Sequence, residues 1–535
     1  MIALQPTSMV AQSIEKFDWQ DKVTEELVKA LSERRGALLR GTTGSGKMYM
    51  TAAALRQLSL EGKLQSPAGS FNPLPILWLC PKSVKQQTMR VLRDYGIAHL
   101  AMVLSYGQIK NKDGTDMFIT YHTKLQNGQP TIYAVWNPVM LPAIVVCDES
   151  HKLKNKDSLI SRVVRALPQE VKVLCTTATP IQRVADGQYM LTCFSAVTKY
   201  NSVAATEETA PRILRDIAYP KSPEEYSPSA TERFRAAMDN YIVEVKNVRF
   251  KHPTRTVCST ISFLTTEERQ QYEDAYNEYL RILREKRKDF QGHGRMAILV
   301  AMRKFQQKAE LLRCPQIAQR VVNALNNGRC VIVGSNYKDT LRSVWTHLTK
   351  VHKIDPNRIA YIVGGQNEQE RQKMIDEFQA GTRDIMLLTM TSGGVGISLH
   401  HGRETTKPRH IILPPTWSAI DLVQALGRGH RLTSKSATTQ EILWYADTVE
   451  AYKVKPIVER KVKCLSKAIT AKEQFMSIFE HSLEDDIDPE LNEDYNQIEA
   501  EDTLQKMERG EDEADESFTG EGLDSDDNIV LPTTY

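Results

Sequence analysis

Ala37-Leu38-Leu39-Arg40-Gly41-Thr42-Thr43-Gly44-Ser45-Gly46-Lys47-Met48 is a short apolar run that breaks into a glycine-rich turn and ends on a lysine. The next stretch, Tyr49–Leu60, is compatible with a helix. Strand, glycine turn and helix in that order make a loop whose backbone N–H groups can turn inward and cradle phosphate oxygens at a helix N-terminus. Lys47 then brings its ammonium to the β- and γ-phosphates. A chance glycine-rich turn is the competing reading, and the matching context on both sides weighs against it.

Working outward, similar apolar runs recur in two regions. Ala37–Leu39, Ile76–Cys80, Ile144–Cys147 and Val171–Cys175 form one set; Cys330–Val333, Arg358–Val363, Ile385–Leu388 and His410–Leu413 form the other. Runs this short, rich in Val, Ile and Leu and separated by helical lengths, read as buried strands of parallel sheets. Between the sets, Asn201 to about Cys314 has a different texture: a proline-punctuated stretch from Pro211 to Pro228, then a charged segment around Thr265–Lys288. There Glu267, Gln271, Ala275 and Tyr279 repeat at helical spacing.

The run Ile144-Val145-Val146-Cys147 ends on Asp148-Glu149-Ser150-His151, about 100 residues after the glycine loop. Two carboxylates at the carboxyl end of a strand beside a phosphate loop have a natural division of labour. Asp148 can hold magnesium through its water shell, and Glu149 can orient and deprotonate an attacking water. A surface strand end is the bland alternative.

One position departs from the loop pattern. Where Ser or Thr ligates magnesium, the chain has Met48. A thioether is a poor ligand for a hard cation. Three consequences stay open: water and Asp148 hold the ion alone, a hydroxyl such as Thr43 or Ser45 helps, or hydrolysis is impaired.

The loop at Lys47 and the box at Asp148 resemble motifs I and II of superfamily 2 helicases and translocases, and further matches follow in order. Gln20, in Phe17-Asp18-Trp19-Gln20, resembles the glutamine that reads adenine. Cys80-Pro81-Lys82-Ser83 resembles motif Ia, Ile119-Thr120-Tyr121 motif Ic and Thr177-Ala178-Thr179-Pro180 motif III. Thr391-Ser392-Gly393-Gly394-Val395-Gly396-Ile397-Ser398-Leu399 is similar to motif V, and Gln424-Ala425-Leu426-Gly427-Arg428-Gly429-His430-Arg431 to motif VI. Several details resemble the Swi/Snf-like branch: Asp148-Glu149-Ser150-His151-Lys152-Leu153-Lys154-Asn155, Thr179-Pro180-Ile181-Gln182, and the entry Leu264-Thr265-Thr266-Glu267. Leu432-Thr433 replaces the Gly-Gln pair of that branch, and motif I reads more like an unwinding helicase. A compact motor with such departures suits a viral or mobile-element protein.

The resemblance implies two RecA-like α/β domains, 1–198 and 316–465, with a helical insertion over 199–315, a bracing helix over 466–483 and an acidic tail over 484–535. It implies ATP and Mg2+, with Gln20, Gly41, Thr42, Thr43, Gly44, Ser45, Gly46, Lys47 and Met48 around the nucleotide. Lys47, Asp148, Glu149, Arg428 and Arg431 take the catalytic roles, and Asp148 holds the metal through water. Pro81, Lys82, Thr120, Thr391 and Gly394 meet nucleic acid, with DNA favoured over RNA. The alternatives are an RNA helicase and a degenerate ATP-binding module with weak turnover.

Charge sharpens this picture. The formal net charge is only +3, yet Glu484–Tyr535 carries 20 acidic residues against Lys506 and Arg509, which leaves the preceding 483 residues at +21. A basic body suits a polyanion track. The tail is too acidic and too poor in large apolar residues to pack, which reads as disorder. It is a solubilising end, a nucleic-acid mimic, or a docking peptide for a protein partner through Tyr495, Phe518 and Tyr535. No apolar run approaches the roughly 18–20 residues that span a bilayer. Met1–Gln12 lacks a secretory pattern, and eight cysteines fall without a C-x-x-C pair, which suggests a reducing intracellular compartment. His400-His401 has no third ligand at useful spacing, and Arg284-Glu285-Lys286-Arg287-Lys288 reads as a solvated helix face.

Overall fold

The computed structural model describes residues 18–468 apart from 127–128, 220–226, 246–250, 253, 287–292, 391–396, 403–406 and 432. In chain order the strands of the first half are β1 (Gly36–Arg40), β2 (Ile76–Cys80), β3 (Ala101–Ser105), β4 (Ile119–Gln126), β5 (Gln129–Trp136), β6 (Ile144–Asp148), β7 (Lys172–Thr177) and β8 (Ile242–Glu244). Six of them make a parallel sheet in the order β3-β2-β6-β7-β1-β8, while β4 and β5 form a separate antiparallel hairpin.

The second half supplies β9 (Arg255–Ile261), β10 (Cys330–Ser335), β11 (Ile359–Ile362), β12 (Ile385–Thr389), β13 (Arg409–Leu413) and β14 (Thr439–Tyr445). They form a second parallel sheet, β11-β12-β10-β13-β14-β9.

Burial explains why the apolar runs became strands. All five residues of β2 are buried, and alternate side chains go to opposite faces. Leu77 and Leu79, with Leu38, Val145 and Val173, pack into one apolar cluster. Ile76, Trp78 and Cys80, with Leu39, Val146 and Leu174, pack into the other. The second sheet repeats the arrangement, with Ile332, Met386 and Ile411 on one side and Val331, Ile385 and Ile412 on the other. Each such side chain contributes about 1.5–3 kcal/mol by leaving water. Both sheets are therefore held from two sides, as crossover helices require.

The segment between the two sets is shared rather than independent. β8 pairs with β1 at the edge of the first sheet, and β9 pairs with β14 at the edge of the second. The helices Ala210–Ala218 and Pro228–Ala237 pack into the first core; Thr266–Lys286, His293–Leu312 and Cys314–Asn326 pack into the second. The long charged helix buries Tyr272, Tyr279 and Leu283, whereas Glu267 and Gln271 are exposed. Of the repeat read from the sequence, Tyr279 is buried and Ala275 half-buried, so the helix is confirmed and its inward face runs through Tyr272, Tyr279 and Leu283. Aromatic packing sets it: Tyr272 and Tyr279 lie 5.2 and 6.3 Å from Phe305, and Tyr272 lies 5.7 Å from Tyr445.

The last described helix, Lys455–Ala468, seats Val458, Val462 and Leu465 in the second core and packs against the helix Pro228–Ala237 of the first half. Of the bracing helix expected over 466–483, all but 466–468 lies outside the described residues. The expectations for Thr391, Gly394 and the acidic tail lie outside the described residues.

Candidate active site

The glycine loop starts where β1 ends. Gly44 and Gly46 have φ of +78° and +80°, a region that side chains with a Cβ avoid, so glycine is required at both. Gly46 caps the helix Lys47–Leu60, and its carbonyl accepts from the N–H groups of Tyr49 and Met50, which leaves those of Lys47 and Met48 without a partner among the described residues. Lys47 is half-buried, and its Nζ donates to the carbonyls of Gly41 and Thr42 at 3.0 Å each. Burial lowers the Lys47 pKa; Glu149 and Asp148 oppose that, while Arg431 and Arg428 add to it. Carboxylates of one half and arginines of the other thus act on one ammonium.

The Gln20 amide lies against the loop, 2.7 Å from where a Cβ on Gly46 would sit. Thr42 and Ser45 are buried, with hydroxyls that have no hydrogen-bond partner among the described residues. Met48 is half-buried and packs with Trp19 and Tyr49 against the apolar cluster beneath the helix.

Asp148 ends β6, and its Oδ1 accepts from Thr176 Oγ1 at 2.6 Å and from the Glu149 N–H at 3.1 Å. Burial, with the Glu149 charge, pushes its pKa up to about 6. Glu149 has φ of +55°, a strained value for a residue with a side chain, and such strain persists where surrounding contacts hold it. Burial alone would raise the Glu149 pKa. His151, 3.4 Å from Oε2, together with Lys47 and Arg428, outweighs burial and holds it at about 2. Glu149 is therefore held more firmly in the ionised form than Asp148. Tyr106 donates its hydroxyl hydrogen to the Asp148 carbonyl at 2.8 Å.

From the second half, the helix Ala419–Leu426 and the turn Gly427–Gly429 reach this cleft. Gly427 sits so close to the Thr43 side chain that a Cβ there would collide with it, and the Arg431 side chain lies directly over Gly44. Arg428 Nη1 and Arg431 Nη2 donate to the Ile397 carbonyl at 3.3 and 3.0 Å, and Arg431 Nη1 also bonds the Gly427 carbonyl. Burial lowers both guanidiniums, Arg428 to about 9 with Arg431 adding to the effect, and Arg431 to about 10.

Gln424 Nε2 comes within 3.4 Å of His151 Nε2, so the ring that touches Glu149 also meets the opposite half. The motif-III residues join here: His151 Nδ1 lies 3.2 Å from Thr177 Oγ1 and 3.5 Å from Thr179 Oγ1.

Not every candidate converges. Pro81 and Lys82 follow β2 at the carboxyl rim, with Lys82 exposed. Thr120 lies on the exposed face of the β4–β5 hairpin; the strand beside β2 is β3, whose Ser105 is the register partner of Cys80. Thr391 and Gly394 are outside the described residues. His400 is held by Ser398 and Thr433 at 2.9 Å each, His401 by Ser436 at 2.7 Å, and among the described residues no cluster of metal-ligating side chains occurs. Arg284, Glu285 and Lys286 are exposed at a helix end. Among the described residues, no helix is long and apolar enough to cross a membrane. Sequence reading missed Thr176 and Tyr106. Pairing the ends of β6 and β7 would have pointed to the first, because Thr176 immediately precedes Thr177-Ala178-Thr179-Pro180.

Comparison with known proteins gives a consistent picture. The SNF2-related domain description matches residues 19–325, and the helicase conserved C-terminal domain description matches 314–433. A protein of Acanthamoeba polyphaga mimivirus, provisionally named ATP-dependent RNA helicase L364, is 26% identical over 480 residues, which is 85% of this chain and 83% of that protein. The CHD3-type chromatin-remodeling factor PICKLE of Arabidopsis thaliana is 23% identical over 66% of the chain and 25% of its own length. Protein CHROMATIN REMODELING 4 of the same plant is 22% identical over 80% of the chain and 20% of its own length. The chain spans a quarter or less of those two plant proteins.

Proposed function

Since the chain belongs to the SNF2-related family of ATP-dependent nucleic-acid motors, we propose that its track is duplex DNA and that it moves along that track by hydrolysing magnesium-bound ATP in the cleft between its two sheets. The observation that carries this reading is the convergence on Lys47 of Asp148 and Glu149 from one half with Arg428 and Arg431 from the other.

The residues present fit a magnesium-bound triphosphate. The buried Arg428 and half-buried Arg431 guanidiniums, without a carboxylate partner among the described residues, the N–H groups of Lys47 and Met48 and the partnerless Thr42 and Ser45 hydroxyls are donors in want of an anion. Asp148 is the hard oxygen ligand the metal would use through water. Bound there, magnesium would neutralise charge on the phosphates.

The protein's own residues divide the remaining work. Gln20 lies where a base edge would be read. Lys47 leaves its two loop carbonyls to meet phosphate. Glu149, ionised and aimed by His151, accepts the proton of the attacking water. Arg428 and Arg431 stabilise charge that develops in the transition state, and they do so only when the halves are closed. Pro81 and Lys82 grip the backbone, with Thr120, Thr391 and Gly394 as further contacts.

DNA is favoured by the Swi/Snf-like form of the Asp148–Asn155 segment and by the remodelling relatives; the name of the mimivirus relative favours RNA. Phosphate release measured with duplex DNA, with RNA and with neither separates these readings. The expected result is turnover stimulated by duplex DNA and abolished by Glu149→Gln. Stimulation by RNA alone would overturn the DNA reading. No turnover with any nucleic acid would leave a nucleotide-binding module, the outcome that Met48 raises.

A further inference from the structure

β6 and β7 run parallel with Asp148 and Thr176 as register partners, so the two side chains leave the sheet on the same face. One residue earlier, Cys147 and Cys175 turn to the opposite face and enter the apolar cluster. Thr176 is fully buried. Its hydroxyl and the Glu149 N–H both donate to Asp148 Oδ1, at 2.6 and 3.1 Å. Two donors on one oxygen fix the rotation of the carboxylate, and Oδ2 has no hydrogen bond among the described residues.

Among the described residues, no hydroxyl of the loop hydrogen-bonds Asp148 in place of the one missing at position 48. Met48 is turned into apolar packing with Trp19 and Tyr49. Thr43 Oγ1 presses against Gly427 of the other half, and Ser45 Oγ lies 2.8 Å from where a Cβ on Gly41 would sit. Neither bonds Asp148. Without a hydroxyl at position 48, a magnesium ion depends more on the Asp148 carboxylate, and the orientation of that carboxylate then counts for more.

We propose that Thr176 is a positioning residue that holds the Asp148 carboxylate ready for magnesium and thereby compensates for the hydroxyl that Met48 removes from the phosphate loop. The proposal rests on the magnesium–ATP reading above. It adds that positions 48 and 176 are one functional pair acting on the same ion. Partners that orient a metal ligand commonly account for about 10–100-fold in metal affinity, which sets the expected size of the effect.

The test titrates Mg2+ against binding of a fluorescent ATP analogue to the full chain, read by anisotropy, with a parallel titration in EDTA. In Thr176→Val the Mg2+ concentration for half-maximal binding should rise about tenfold or more, with EDTA binding unchanged. Thr176→Ser, which keeps the hydroxyl, should match the unaltered protein. Adding Met48→Thr to Thr176→Val should restore the Mg2+ midpoint, a rescue that a purely structural role for Thr176 does not produce. An unchanged midpoint in Thr176→Val, or a double variant no better than the single one, overturns the proposal and leaves the motor reading intact. Failure of the unaltered protein to bind the nucleotide at any Mg2+ concentration overturns both.

Discussion

At the carboxyl rim of the first sheet each charged group named above has a polar partner: Lys47 the loop carbonyls, Asp148 the Thr176 hydroxyl and a backbone N–H, Glu149 the imidazole of His151. At the rim of the second sheet Arg428 is buried and Arg431 half-buried, yet their guanidiniums reach only carbonyl oxygens, and Arg428 Nε has no acceptor among the described residues. Both sheets have the same strand count, parallel sense and two-sided burial. They differ in that the first rim is electrostatically complete and the second is not. Unpaired buried cations are costly. The second half therefore gains most from closing on an anion held by the first.

The sharpest way to break that asymmetry is Arg431→Ala. It should cut nucleic-acid-stimulated phosphate release by about 10³-fold or more while nucleotide binding changes little, since such arginines act on the transition state. A similar loss of binding would mean that the arginine serves the ground state and that the two rims are not complementary in this sense.

Next in size is a structural contrast within the second half. Arg313 is buried and its Nη2 bonds both Glu450 oxygens at 2.6 Å, so this cation, unlike Arg428, is compensated locally. Glu450→Ala should destabilise the fold by about 3–5 kcal/mol in denaturant unfolding, the cost of an orphaned buried charge. A loss below about 1 kcal/mol would contradict the idea that local compensation matters here.

A smaller effect follows from His400. Burial, with Arg431 and Arg409 adding to it, lowers its pKa to about 3, below the roughly 6.5 of an unfolded histidine. The unfolded chain therefore binds the proton first. The stability that neutral His400 contributes is complete above about pH 6.5 and is lost as pH falls from there toward 3, at no more than about 1.4 kcal/mol per pH unit. Thermal melts at pH 7.5 and 5.5 should show this slope, and His400→Gln should flatten it. An equal slope in the variant would assign it to other groups.

The smallest expected change concerns the acidic tail. Removing Glu484–Tyr535 should raise duplex-DNA affinity several-fold at low salt, with the difference shrinking as salt rises. Equal affinity across the titration would rule out competition between the tail and the basic body.

Legibility in the sequence followed burial. Ile76–Cys80 and its counterparts could be read because strands buried on both faces need continuous apolar side chains. β14, with Thr439, Gln440 and Glu441 at its start, could not, because its polar residues are satisfied by neighbours far apart in sequence: Glu441 accepts from Ser259 and Arg320 at 2.6 Å each. β8 was missed because three residues carry no period. The loop and the Asp148-Glu149 pair were legible because local chain geometry makes them. The link from His151 to Gln424 spans 273 residues and exists only once both sheets have formed. Thr176 was hidden for the same reason, since its partner lies on a neighbouring strand.

The crossing of the chain from β8 to β9 has a mechanical consequence. Both strands are edge strands, so the halves are joined along one margin, and β2 with its Pro81-Lys82 rim lies four strands away from it in the first sheet. At about 4.8 Å per strand that is a lever arm of roughly 19 Å. A swing of about 10° around the joined margin would carry the rim roughly 3.4 Å, the axial rise of one base pair. The position of the joint would thus set how far that rim travels for a given angular change between the two halves.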